Sequence, residues 1–188
     1  MIHSVIIGVV TGVLSGLCAS LLFHLLLKHT TPKLEIAREI ERRFIEGSAK
    51  PEFRIKIVNK RKRYATDFSL FLSLVHEENG PDGIIVRMRQ LDICEDQIPY
   101  IEPYERKDKN GKYAVRVQIP INLDEEWLDD RIERLELTMF CRDAFSGSGK
   151  FFTRNYYSKA DIITGRYNTG KRIDVKPLPI ETGQVGSN

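Results

Sequence analysis

The chain has 188 residues, with 29 Lys and Arg against 26 Asp and Glu, a net charge of +3 and a pI near 8.7. So mild a surplus is weaker than a dedicated nucleic-acid binder carries, and no nucleic acid is expected as a partner. The length leaves room for one ordinary domain beside a membrane segment, and the mean hydropathy of −0.30 hides a sharp asymmetry: no Lys, Arg, Asp or Glu precedes Lys28.

Ser4 to Leu27, SVIIGVVTGVLSGLCASLLFHLLL, reads as a transmembrane helix. About 24 residues at 1.5 Å each give roughly 36 Å, enough for a hydrocarbon core of about 30 Å. A cleaved signal peptide fits poorly, since no cation precedes the run and its apolar stretch is too long. Leu17 before Cys18 also departs from a lipoprotein signal, which needs a small residue there. Lys28, Lys33, Arg38, Arg42 and Arg43 follow the segment, so the positive-inside rule places the N-terminus outside and the remainder in the cytoplasm. The expected location is the cell's inner (plasma) membrane, crossed once.

One side of this helix carries Ser4, Gly8, Gly12, Gly16, Ser20 and His24 at every fourth position, against Val and Leu on the other. Small residues so spaced let two backbones approach closely in lipid, and a homo-oligomer is the expectation. In such an oligomer Thr11, Ser15, Ser20 and His24 either line a narrow polar path or serve helix packing alone, with packing favoured.

Thr30-Thr31-Pro32 stops the helix, and the period changes to two. Leu34 to Ala37 begins the change; Ala37 to Ile45 fits a strand or an amphipathic helix. Phe53 to Val58 reads as a half-buried strand, and a basic turn from Asn59 to Arg63 leads to Phe68–Val75. Asn79-Gly80-Pro81-Asp82-Gly83 marks a turn before strands at Ile84–Leu91 and Gln97–Ile101. Asn110-Gly111 introduces Tyr113 to Ile121, and Asp124 to Asp130 forms an acidic loop or helical turn holding Trp127. Leu135, Leu137, Met139 and Cys141 alternate again, a Ser146–Gly149 turn follows, and Phe151 to Tyr157 and Lys171 to Val175 complete the strands. About seven strands with closely spaced turns predict a β-sandwich. The boundaries are a short outer end at 1–3, the membrane helix at 4–27, a juxtamembrane segment with the first strand at 28–52, the sandwich at 53–176, and a disordered tail at 177–188.

The stretch RLELTMFCRDAFSGSGKFFTRNYYSKADIITGRY, Arg134 to Tyr167, resembles the end of the cytoplasmic domain of inward-rectifier potassium channels. Gly149, Tyr157, Asp161, Ile162, Gly165 and Tyr167 carry the resemblance. It implies an all-β immunoglobulin-like sandwich beneath a membrane. It implies no potassium selectivity, because this chain has neither a second membrane helix nor a filter segment. Phe53 to Val75 is similar to the paired strands of adhesion-type immunoglobulin-like modules. One anchor plus a small β domain is also similar in layout to membrane effectors of bacterial anti-phage defence, where a β domain senses a signal and the membrane part disrupts the bilayer.

No hydrolase, metalloprotease, P-loop or dinucleotide-binding motif occurs, so no enzyme and no cofactor are expected. Three scattered cysteines lack zinc-site spacing, and only Cys94 and Cys141 could form a disulfide, which a reducing compartment disfavours. His76 beside Glu77-Glu78, and Asp124, Glu125, Glu126, Asp129 and Asp130, read as solvated loop charges. Arg54, Lys56, Lys60, Arg61, Lys62 and Arg63 admit three readings: anionic lipid headgroups, a phosphate-bearing ligand such as a nucleotide signal, or a solvated hairpin tip. The function expected is a self-associating, channel-like or membrane-disrupting effector whose sandwich senses a ligand or partner. The alternative is a non-conducting anchor whose sandwich recruits a partner protein.

Overall fold

The computed structural model describes residues 2–45, 47, 50–108, 111–128 and 133–178. Met1, Asn110, Asp129, Asp130 and the tail from residue 179 fall outside them, as do the side chains of Ser4, Val5, Lys28 and His29. The first element is a helix, α1 (Ile2–Thr30), whose stretch Ile6–Leu27 is long and apolar enough to cross a membrane and buries none of itself against the rest of the chain. Its hydroxyls turn back on their own backbone: Thr11 Oγ1 donates to the Ile7 carbonyl at 2.8 Å, and Ser15 Oγ to that of Gly12 at 3.0 Å. These two hydroxyls are thereby satisfied without water. Pro32 then disfavours helical backbone at Thr31, and the helix ends.

The described strands are β1 (Leu34–Ile36), β2 (Ile40–Arg43), β3 (Glu52–Asn59), β4 (Ala65–Gly80), β5 (Gly83–Leu91) and β6 (Gln97–Ile101). After these come β7 (Ala114–Ile119), a four-residue helix α2 (Leu123–Glu126), β8 (Glu133–Asp143), β9 (Gly149–Tyr156), β10 (Ile162–Tyr167) and β11 (Val175–Pro177). Within the ambiguous stretch from Ala37 to Ile45 the strand is Ile40–Arg43, and β1, at Leu34–Ile36, is the first strand, inside the 28–52 segment.

Two sheets form. In the first, β3 pairs with β7 along one side and with β1 and β2 in tandem along the other. β2 continues to β10 in parallel, and β10 to β11 in antiparallel. In the second, β4 takes β6 and β5 in tandem on one side and β8 on the other, with β9 beyond β8. The period-two residues explain the layering. Phe53, Ile55 and Ile57 of the first sheet join Phe68, Leu70, Leu72, Leu74, Leu135, Leu137, Met139 and Cys141 of the second in one buried cluster. Asn122 caps α2 by accepting from the Asp124 N–H at 3.2 Å, which aims the next residue, Trp127, fully into that cluster. Ile55→Val removes one methylene from the middle of β3 and is expected to cost about 1 kcal/mol, read from Trp127 fluorescence during urea unfolding.

Two expectations shift. The last strand lies at Val175–Pro177 rather than Lys171–Val175, because residues 168–172 turn inward to a buried ammonium described below. β4 is twice the expected length, so the β4–β5 hairpin extends well past the pairing with β8, which stops at His76. Cys94 is exposed and Cys141 buried, and both are free thiols.

Candidate functional site

Along α1, a Cβ added to Gly8, Gly12 or Gly16 would meet nothing within 4 Å. Ser20 and His24 continue the same side and are exposed, as are Val9, Val13, Leu17 and Leu21 elsewhere on the helix. The glycines leave a shallow, unfilled groove in an otherwise bulky apolar surface.

The basic turn sits where that helix ends. β1 pairs Leu34 with Asn59, the last residue of β3, and the Lys60 N–H donates to the Lys33 carbonyl at 2.9 Å. Buried Asn59 staples the turn: its Oδ1 accepts from the Arg61 N–H at 2.9 Å, and its Nδ2 donates to the carbonyls of Arg63 (2.7 Å) and Glu102 (3.0 Å). The Tyr104 N–H closes the back by donating to the Arg61 carbonyl at 2.6 Å. Thr30 of the helix and Lys60, Arg61, Lys62 and Arg63 together line a pocket of ≈ 320 Å³. Lys60 is partly neutralised by Glu35 at 2.5 Å and Arg63 faces the buried Asp143 carboxylate at 3.9 Å, whereas Lys62 is exposed.

Of the six cations expected to act together, the structure gathers these four and separates two. Arg54 lies mid-strand, paired with Glu52 at 2.7 Å. Lys56 is turned away from the surface and has no exposure at all. Its ammonium donates to the carbonyls of Asn168 (2.6 Å), Gly170 (2.8 Å) and Arg172 (2.7 Å). Burial, helped by the nearby Arg116, pushes its pKa down to about 8. A side chain so engaged holds a loop and is not open to an external anion.

The acidic residues are spread among cations. Asp124 takes Arg42 on both oxygens (3.1 and 2.9 Å), and Glu126 takes Arg89 at 2.6 Å. His76 faces Glu78 at 3.2 Å, Glu78 also faces Arg87 at 3.2 Å, and Glu77 pairs with Arg134. Among the described residues no three His, Cys, Asp or Glu side chains gather as metal ligands would.

Sequence reasoning missed the loop between β8 and β9, taken only as a turn. Its Ala144 N–H donates to the Tyr64 carbonyl at 3.1 Å, and the Arg63 guanidinium lies 4.9 Å over the Phe145 ring. The loop therefore belongs to the same end of the domain as the basic turn. Its only available signal was an aromatic in an otherwise polar turn. Also unforeseen is a shallow pocket of ≈ 460 Å³ beside it, walled by Tyr64 and Tyr100 in an edge-on pair and by Asp67, which has φ +55°. No protein family and no curated relative matches the chain.

Proposed function

We propose that this is a single-pass protein of the cell's inner membrane, with its N-terminus outside, and that it self-associates through the groove of α1. Its cytoplasmic domain, an immunoglobulin-like sandwich of the kind the inward-rectifier resemblance implies, senses a ligand or partner. The assembled helices then act as a channel-like or membrane-disrupting effector, a layout suited to anti-phage defence. One observation carries the reading: Ile6–Leu27 lies wholly outside its own domain, with an open glycine groove along it. Apolar surface on that scale is unfavourable in water and must be covered by lipid or by copies of itself. The cations directly after it support the cytoplasmic placement.

Expressed in full and reconstituted in lipid vesicles, the protein is expected to resist alkaline extraction, to run as an oligomer by native mass, and to release an encapsulated dye. A monomer that dissolves without detergent would end the membrane reading. An oligomer that leaves the vesicles tight would favour the adaptor instead.

The adaptor has its own support. β5 pairs with β4 on one side only, and its Ile84 and Val86 stand exposed beyond the body of the sheet, with exposed Met88 at its border. Such an edge accepts an added strand. Introducing Val86→Lys should abolish partner capture in an adaptor and leave an effector's dye release intact.

A further inference from the structure

We infer that the end of the domain nearest α1 is a lipid-docking face, with Phe145 as an anchor in the interfacial region of the anionic cytoplasmic leaflet and the 60–63 turn as its charge contact. The inference rests on the membrane reading of α1 and adds which face of the domain meets the bilayer, by which residues, and with what lipid chemistry.

The tether from helix to domain is short. Between the end of α1 and the start of β1 lie only Thr31, Pro32 and Lys33, a span of at most about 10 Å. Lys28 to Thr30 add about 4.5 Å of helix beyond Leu27, the last apolar residue. The headgroup layer on one side of a bilayer is itself about 5–7 Å thick. The slack is further reduced because Lys33 is hydrogen-bonded to Lys60 and Thr30 helps line the basic pocket. Once α1 is in lipid, the turn has nowhere to sit but at the leaflet surface.

The neighbouring loop is built to turn its charge in and its ring out. Its only carboxylate, Asp143, is 2% exposed, and one of its oxygens accepts from the Phe145 N–H (3.1 Å), the Ser146 N–H (2.9 Å) and the Ser146 hydroxyl (3.1 Å). Gly147 at φ +67° closes the loop by donating its N–H to the Asp143 carbonyl at 2.8 Å. The negative charge is thus turned inward while the Phe145 ring is driven outward, to 81% exposure, on a loop whose backbone is pinned at several points. Arg63 covers one side of the ring, and Arg142, at the end of β8, is exposed. A phenyl ring held rigidly in water beside a cation is a poor arrangement for a soluble surface. It suits an interface where the ring enters the acyl boundary and the cations meet phosphate. Asp67 and Glu102 line the shallow pocket beside the loop, together with Tyr64, Tyr100 and Ala144, so the anchor is confined to the Phe145 ring itself.

The test uses the full chain in vesicles, with Phe145→Trp as the probe. Trp127 is fully buried, so its emission subtracts as a constant background from the wild type. In vesicles containing phosphatidylglycerol, Trp at 145 is expected to emit to the blue and to be quenched by lipids brominated near the carbonyls. Acrylamide should quench it several-fold less than Trp introduced by Ile84→Trp at the far hairpin tip. In neutral phosphatidylcholine, or with Lys62→Gln and Arg63→Gln together, the protection should weaken, each cation being worth about fivefold in leaflet affinity. Equal acrylamide quenching at 145 and 84 in anionic vesicles overturns the inference while α1 remains inserted. Loss of the protein from the vesicles on alkaline extraction instead overturns the membrane reading beneath it.

Discussion

Lys56→Met is expected to lower the unfolding free energy by about 3 kcal/mol and to release the 168–174 loop. Methionine keeps the apolar stem but removes the three donors that serve the carbonyls of Asn168, Gly170 and Arg172. Unpaired buried carbonyls each cost about 1–3 kcal/mol, and relief from burying a charge returns only part of that. The loop leads directly into β11, so Tyr167 pairing with Val175 should loosen with it. Urea unfolding of the solubilised protein, followed through Trp127, gives the magnitude, and hydrogen exchange at residues 168–177 gives the place.

The same lysine predicts a pH dependence of definite sign. Its pKa is about 8 when folded, against 10.5 for the free side chain. Above pH 8 the folded state releases a proton that the unfolded chain still binds. Stability therefore rises with pH through this window, by about 1 kcal/mol per pH unit. Burial of Cys141, Tyr156 and Tyr167 raises their pKa values, which works in the opposite direction at higher pH. The contrast is cleanest between pH 8 and 9, as the difference between wild type and Lys56→Met. A difference that stays flat across this interval would show that the ammonium keeps an ordinary pKa.

What could be read from the residues follows from which signals are local. Alternation at Phe68–Leu74 and Leu135–Cys141 located buried strands directly, because side-chain direction in a strand has period two. The unbroken apolar run of α1 was legible from its length and lack of charge alone. Lys56 was not, since alternation classes it with Arg54 as an outward cation, and only the fold shows that the 168–172 backbone wraps over it. Ala37 to Ile45 was undecided because strands as short as Ile40–Arg43 carry too few residues to distinguish periods, and their pairing with β3 decides the conformation. Phe145 belongs to a third kind. Nothing local in the sequence marks it beyond an aromatic in a polar turn, and the hydrogen bonds that turn Asp143 inward and the ring outward appear only once β8 ends opposite Ala65. The apolar pattern thus specifies the two layers, while the polar residues that define the end of the domain nearest α1 depend on contacts distant in sequence.

If the chain self-associates through α1 as proposed, replacing Gly8, Gly12 and Gly16 together by leucine is expected to convert it to monomers, with at least a tenfold loss of apparent association in lipid. Each position now leaves its Cβ site empty, so a leucine fits its own chain without strain and folding is untouched. The same side chains fill the groove through which a second backbone would approach. In lipid no hydrophobic drive remains to offset the lost close contact, because acyl chains solvate leucine as well as another helix does. Hydropathy rises in the variant, so it inserts at least as well as the wild type, and any change in mass reports packing alone. Val10→Leu combined with Leu14→Val, on the bulky side of the helix, supplies the matched control and should leave the oligomer intact. If the helices act as an effector, dye release falls to the level of empty vesicles in the triple variant and persists in the control. An oligomer of unchanged mass after the triple replacement would mean that the groove is not where the copies meet.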